Sequence, residues 1–114
     1  MQKTDGAIAG IKPGVQKFAD MVEYSPGSVV SKTLINKQAG TVTLFSFDSG
    51  QGLSEHTAPF DALVQVFEGS VTVTLGGVAH ELAAGEMIIM PAGLPHALRA
   101  TARMKMMLVM VKER

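Results

Sequence analysis

A period of two constrains this chain more than any other feature of its sequence. From residue 29 onward, short runs at 29–35, 41–47, 63–67, 71–75, 78–82, 87–90 and 104–111 place side chains alternately on opposite sides, with none of the three-and-four spacing that builds a helical stripe. Each run is long enough for one strand and is bounded by turn chemistry: 36–40, 48–52, 68–69, 76–77, 83–85 and 91–95 are rich in Gly, Asn, Asp and Pro. The pair Gly76-Gly77 between two such runs predicts a tight hairpin, because the turns that match strand twist need positive φ, which glycine reaches without steric cost. Many short strands with close turns predict an all-β sandwich or barrel. Residues 1–28 lack the pattern and read as an irregular N-terminal arm packed on the barrel, with a helical turn around 18–22. Residues 29–114 form the β-barrel domain. A chain of 114 residues, 46% hydrophobic, supplies one core and not two.

Composition removes whole classes of function. Ten basic against ten acidic residues give no electrostatic reason to expect nucleic acid or an acidic membrane surface as partner. No cysteine is present, which excludes disulfides, thiolate zinc sites and a cysteine nucleophile, so any metal must use His, carboxylate or amide ligands. No apolar stretch approaches the roughly 20 residues that span a bilayer, and residues 1–5 are not followed by an apolar signal region, so the expected compartment is the cytoplasm. Neither a nucleophilic serine elbow nor a phosphate-cradling glycine loop is found.

Two ordered glycine and histidine patterns carry a family resemblance. Gly50, His56 and Gly69 form the first; Gly85, Pro91, Gly93 and His96 form the second. Together they resemble the two motifs of the cupin superfamily, over roughly half the chain, and point to a small single-domain cupin of the conserved-barrel type. The resemblance implies a jelly-roll β-barrel, often paired into homodimers through its sheets. In the family, three His and one Glu converge inside the barrel on a divalent transition metal such as iron, manganese, nickel, copper or zinc. Here Ala58 and Ala62 stand where the first motif has its second His and its Glu, and Ala100 where the second has Asn, so the first metal-binding motif is degenerate. Carried over residue by residue, only His56 and His96 are candidate ligands.

Strand parity sorts the neighbours. His56, Ala58, Ala62, Val64 and Val66 share one face, which puts Glu55, Asp61 and Gln65 on the other unless a bulge near Pro59 turns Asp61 inward. His80 is left open by the alternation. Met104, Met106, Leu108 and Met110 alternate on one face of the last strand, and six of the eight methionines fall between Met87 and Met110. Thioethers are common fillers of irregular cores; beside imidazoles they also suit copper(I), or make an adaptable wall for an apolar ligand. Phe45, Phe47, Phe60 and Phe67 read as core or interface, Tyr24 as the one phenol available for proton transfer, and Thr41, Thr43, Ser46, Thr72 and Thr74 as solvent faces.

The resulting expectation is a ligand pocket centred on His56 and His96 and lined by Ala58, Ala62, Val64, Met90, Met104 and Met106, which binds a small molecule and holds one divalent metal or none. A metal-dependent oxygenase, isomerase or decarboxylase with a further ligand is the alternative. Metal-free acid/base catalysis by a His and an orienting carboxylate, and a non-catalytic module dimerising through 29–35, Leu63, Phe67 and Met107, remain open beside it.

Overall fold

The computed structural model describes residue 11 and residues 13–112; residues 1–10, 12, 113 and 114, which the expected arm and barrel domain include, lie outside the described residues. The strands are β1 (Val29–Lys37), β2 (Gly40–Phe47), β3 (Gly52–His56), β4 (Asp61–Glu68), β5 (Ser70–Leu75), β6 (Val78–Ala83), β7 (Met87–Met90), β8 (His96–Ala100) and β9 (Met104–Val111). They form a five-stranded sheet in the order β1-β2-β9-β4-β7 and a four-stranded sheet in the order β3-β8-β5-β6, every pairing antiparallel. This is an all-β jelly-roll arrangement. At the tight hairpin, Leu75 pairs with Val78 and both intervening glycines have positive φ (57° and 84°).

The period-two runs became strands, but β3 and β8 were not legible in that pattern. Gly-Leu-Ser-Glu-His and His-Ala-Leu-Arg-Ala carry too few apolar positions to alternate visibly. They form because β8 is taken up between β3 and β5, which satisfies its backbone groups from both sides.

The core lies between the two sheets. Phe47, Val64, Val66, Val71, Val73, Met104 and Met106 are fully enclosed there, joined by Leu82, Leu98 and Ala100. Each large apolar side chain so enclosed contributes about 1.5–3 kcal/mol. Parity places Thr41 and Thr43 on this inner face with Phe45 and Phe47, in register with Met110 and Leu108, so the expected solvent face of β2 is corrected: Thr43 is buried. The Thr41 hydroxyl is enclosed with no hydrogen-bond partner among the described residues. An unpaired buried hydroxyl costs about 1–3 kcal/mol, so Thr41→Val, which keeps the shape, is expected to stabilise the fold by about 1 kcal/mol and raise Tm by roughly 4 °C. A thermal melt checks this; an unchanged or lower Tm would show that the hydroxyl finds a partner.

The opposite face of β2 is covered by the arm. Ser46, also expected at the surface, is fully buried and donates to the Glu23 carbonyl at 2.6 Å. Lys105 on β9 donates to the Ala19 carbonyl at 2.6 Å, and Phe18, in a short 3-10 turn at Phe18–Asp20, stacks on Phe67 with ring centroids 4.3 Å apart. Tyr24 donates to Glu68 at 2.6 Å while its ring lies 5.1 Å from the Arg103 guanidinium and 5.0 Å from the Lys105 ammonium. Burial first, then the Glu68 carboxylate, pushes the phenol well above its ordinary value. Asp48 fastens the arm's end, accepting from the Gly27 N–H at 2.7 Å and from Arg103 at 3.0 Å; these contacts, Gly27 foremost, hold its carboxyl below the usual range.

Beyond the arm, the outer face of the large sheet carries an apolar row in cross-strand register, Ile35–Val42–Val109–Leu63–Ile89, which runs across all five strands. Its two ends, Ile35 and Ile89, are exposed.

Candidate functional site

His56 ends β3 and His96 begins β8, and the ladder between those strands sets the two residues directly opposite each other. Local chemistry enforces the approach. Gly52 lies so close to the Leu98 carbonyl that a Cβ there would collide with it, so glycine lets β3 close on β8. The 91–95 loop is tied back to the β3–β4 corner: Gly93, at φ +80°, donates to the Ala58 carbonyl at 2.9 Å, and Ala92 donates to the Asp61 carboxylate at 2.9 Å. The chain therefore turns from β7 and delivers His96 beside His56.

The rings meet edge to face, with centroids 4.3 Å apart and planes at 66°. His96 is buried and His56 exposed, so the pair reaches from the interior to solvent. Nδ1 of His56 lies 2.7 Å from the Ser54 carbonyl oxygen, and Nδ1 of His96 lies 3.2 Å from the Leu94 carbonyl oxygen. A carbonyl oxygen only accepts, so each Nδ1 carries a hydrogen and each neutral ring presents a lone pair at Nε2. The two Nε2 atoms are 3.1 Å apart. Lone pair faces lone pair unless a proton or another cation lies between them, and this makes the pair a poised acceptor.

Around the pair, a cleft of 380 Å³, part of it open to solvent, runs between the sheets. It is lined by Leu53, Ala58, Ala62, Val64, Met90, Leu98, Met106, Leu108 and Met110 besides the two histidines. Of the residues expected from sequence, Met104 is elsewhere: it pairs with Phe47 in the sealed core, beyond the wall that Met106 forms. Leu53, Leu98, Leu108 and Met110 were not on the expected list. Leu108 and Met110 share the face of Met106, so parity could have found these two. Leu53 and Leu98 could not be found that way, because neither β3 nor β8 was recognised as a strand.

The carboxylates are not at the pair. Asp61 is exposed and committed to Ala92, so no bulge turns it inward, and Glu55 is exposed on β3. His80 is exposed on β6 and lines a separate surface depression with Glu81 and Glu86. Tyr24 belongs to the arm contact with Glu68 and does not line the cleft. Among the described residues, no group of three or more His, Asp or Glu side chains gathers as a metal would require. The chemistry of the donor set therefore does not fit the family's divalent ion: two imidazoles remain, and methyl groups stand at the other two positions.

The sequence matches a family model described as a Cupin domain over residues 43–112. Among solved structures, a conserved protein of unknown function from Streptococcus pyogenes superposes with a TM-score of 0.90 at 35% identity, covering 95% of this chain and 96% of that one. A cupin superfamily protein from Desulfitobacterium hafniense gives 0.81 at 25% identity, over 83% of this chain and 87% of its own. A Cupin 2 conserved barrel domain protein from Leptotrichia buccalis gives 0.80 at 40% identity over 82% of this chain, which spans 46% of that protein. No curated protein matches the sequence.

Proposed function

The chain belongs to the cupin family, and from that premise we propose that it binds a small molecule in the cleft between its sheets, with His56 and His96 as the polar anchors. The observation that carries this reading is the convergence of two Nε2 acceptors, 3.1 Å apart, on an otherwise apolar cleft. Such a site recognises a compact molecule with an apolar body and one hydrogen-donating group, such as a hydroxyl, an amide or a protonated acid. The donor satisfies the facing lone pairs while the Val, Leu and Met walls cover the rest. Because Nδ1 of each ring is held by a carbonyl, the acceptors are oriented before the ligand arrives, which lowers the ordering cost of binding.

The family's metal-dependent chemistry finds less support in these residues, because Ala58 and Ala62 donate nothing and Asp61 is bonded elsewhere. A homodimer is the assembly that the outer face of the large sheet supports. The row Ile35–Val42–Val109–Leu63–Ile89 crosses the whole sheet and leaves apolar surface, exposed at Ile35 and Ile89, that a second copy related by a two-fold axis would cover. Phe67 plays no part in it, being stacked under Phe18. Among the described residues, no helix is long and apolar enough to cross a membrane.

The test is a screen of small hydroxylated, amide and carboxylic compounds, followed by thermal shift and by the ring signals of His56 and His96 in NMR. A binder is expected to move both sets of ring signals. Loss of either ring, in His56→Ala or His96→Ala, is expected to weaken it about tenfold, or roughly 1.4 kcal/mol. A binder whose affinity is untouched by both substitutions would remove the pair from the site.

A further inference from the structure

Two of the cleft's methionines stand on either side of a methyl group. Ala62 on β4 is paired with Met90 on β7 and with Met110 on β9, directly opposite in both ladders, and all three side chains line the cleft. Residues so opposed have Cβ atoms about 4.5–5.5 Å apart, so the Cβ atoms of the two methionines rise from the sheet about 9–11 Å from each other, with only a methyl between them. That gap has a chemical size. A thioether sulfur meets an aromatic ring at its edge, about 5 Å from the ring, so sulfurs on opposite edges of one ring stand about 10 Å apart.

Charge narrows the occupant further. Apart from the two imidazoles, every side chain that lines the cleft is aliphatic or a thioether. No Lys or Arg among them offsets an anion and no Asp or Glu offsets a cation, so either would lose its hydration without a partner. Two Nε2 lone pairs 3.1 Å apart call for one hydrogen directed between them. A hydroxyl supplies that hydrogen and no other, whereas the second N–H of a primary amide or amine would be left against an apolar wall. We propose that the cleft selects an uncharged aromatic hydroxyl compound, a phenol, with its ring over Ala62 between Met90 and Met110 and its O–H donated to the Nε2 pair of His56 and His96. A phenol donates more strongly than an aliphatic alcohol, because its oxygen shares charge with the ring. The electropositive ring edge also faces the polarizable sulfurs.

The inference rests on the pocket reading above, and its test separates the two. Phenol, cyclohexanol, anisole and benzoate are titrated into the full chain at pH 8 and followed by NMR. Phenol is expected to bind roughly tenfold more tightly than cyclohexanol, which keeps the hydroxyl without an aromatic ring, and than anisole, which keeps the ring without the donor. Benzoate, an anion with no hydrogen to donate, is expected to bind about a hundredfold more weakly than phenol. The ring current of bound phenol is expected to shift the methyl signals of Met90 and Met110 and leave those of Met87 and Met107, which do not line the cleft, in place. The paired substitutions Met90→Leu and Met110→Leu conserve volume and are expected to keep the fold, to weaken phenol about fivefold and to leave cyclohexanol unchanged. Cyclohexanol or benzoate as tight as phenol on the natural chain, or a phenol affinity indifferent to the two leucines, would overturn the aromatic hydroxyl assignment even if small-molecule binding still depended on the histidines. If none of the four probes moved the ring signals of His56 and His96, this assignment would fall and the wider compound screen would decide the pocket reading by itself.

Discussion

With Ala58→His and Ala62→Glu introduced together, the cleft is expected to retain a divalent first-row ion through dialysis that the natural chain loses. The two substitutions supply the missing imidazole and carboxylate beside an Nε2 pair that is already spaced for chelation. The effect on stability is as telling as the binding. Position 62 is 7% exposed between two methionines, so a carboxylate placed there without a cation loses hydration worth several kcal/mol and the metal-free variant is expected to melt far below the parent. Metal at a hundred times its Kd then restores about 2.7 kcal/mol by binding only the folded state. Thermal melts in chelator and in manganese or nickel, with elemental analysis after dialysis, read both effects. A variant that melts identically with and without metal would show that positions 58 and 62 do not face the histidines.

The second large effect belongs to a residue far from chemistry. Gly69 turns the chain from β4 to β5 at φ +77°, and a Cβ on it would run into the Arg103 carbonyl, a backbone atom with little freedom to move. Gly69→Ala therefore combines the left-handed strain of a non-glycine residue with a backbone collision. The expected loss is about 3 kcal/mol or more, a large share of the 5–15 kcal/mol that holds a domain of this size. Gly85→Ala is the control. Its φ is +92°, but nothing lies within 4 Å of the added carbon, so the conformational cost stands alone at about 1–2 kcal/mol. Urea midpoints compare the two; equal losses would mean that the Arg103 contact relaxes at no cost.

Much of the architecture could be read from turns and parity, and the reason is local. Gly76-Gly77 dictates a hairpin by its own backbone preference, and Val64 with Val66 is assigned to the interior by alternation alone. What escaped reading was decided by distant partners. Ser46 is buried because the arm crosses it, which nothing in residues 41–47 announces. Strands β3 and β8 exist because they pair with each other and with β5. The two histidines could be chosen from motif spacing, yet their lone-pair opposition depends on the carbonyls of Ser54 and Leu94 and on a register that no spacing records. Met104 and Met106 have the same parity and the same residue type. Only depth along β9 separates the sealed core from the cleft wall.

The histidine pair is built on unequal supports. His96 begins a strand held from both flanks, by β3 and by β5, whereas His56 ends a strand at the border of its sheet, and the ladder beneath it is irregular between Leu53 and His56. One jaw of this pincer is anchored on both flanks and the other on one, so a load at the mouth of the cleft falls on the fewest backbone pairings at β3, the His56 side.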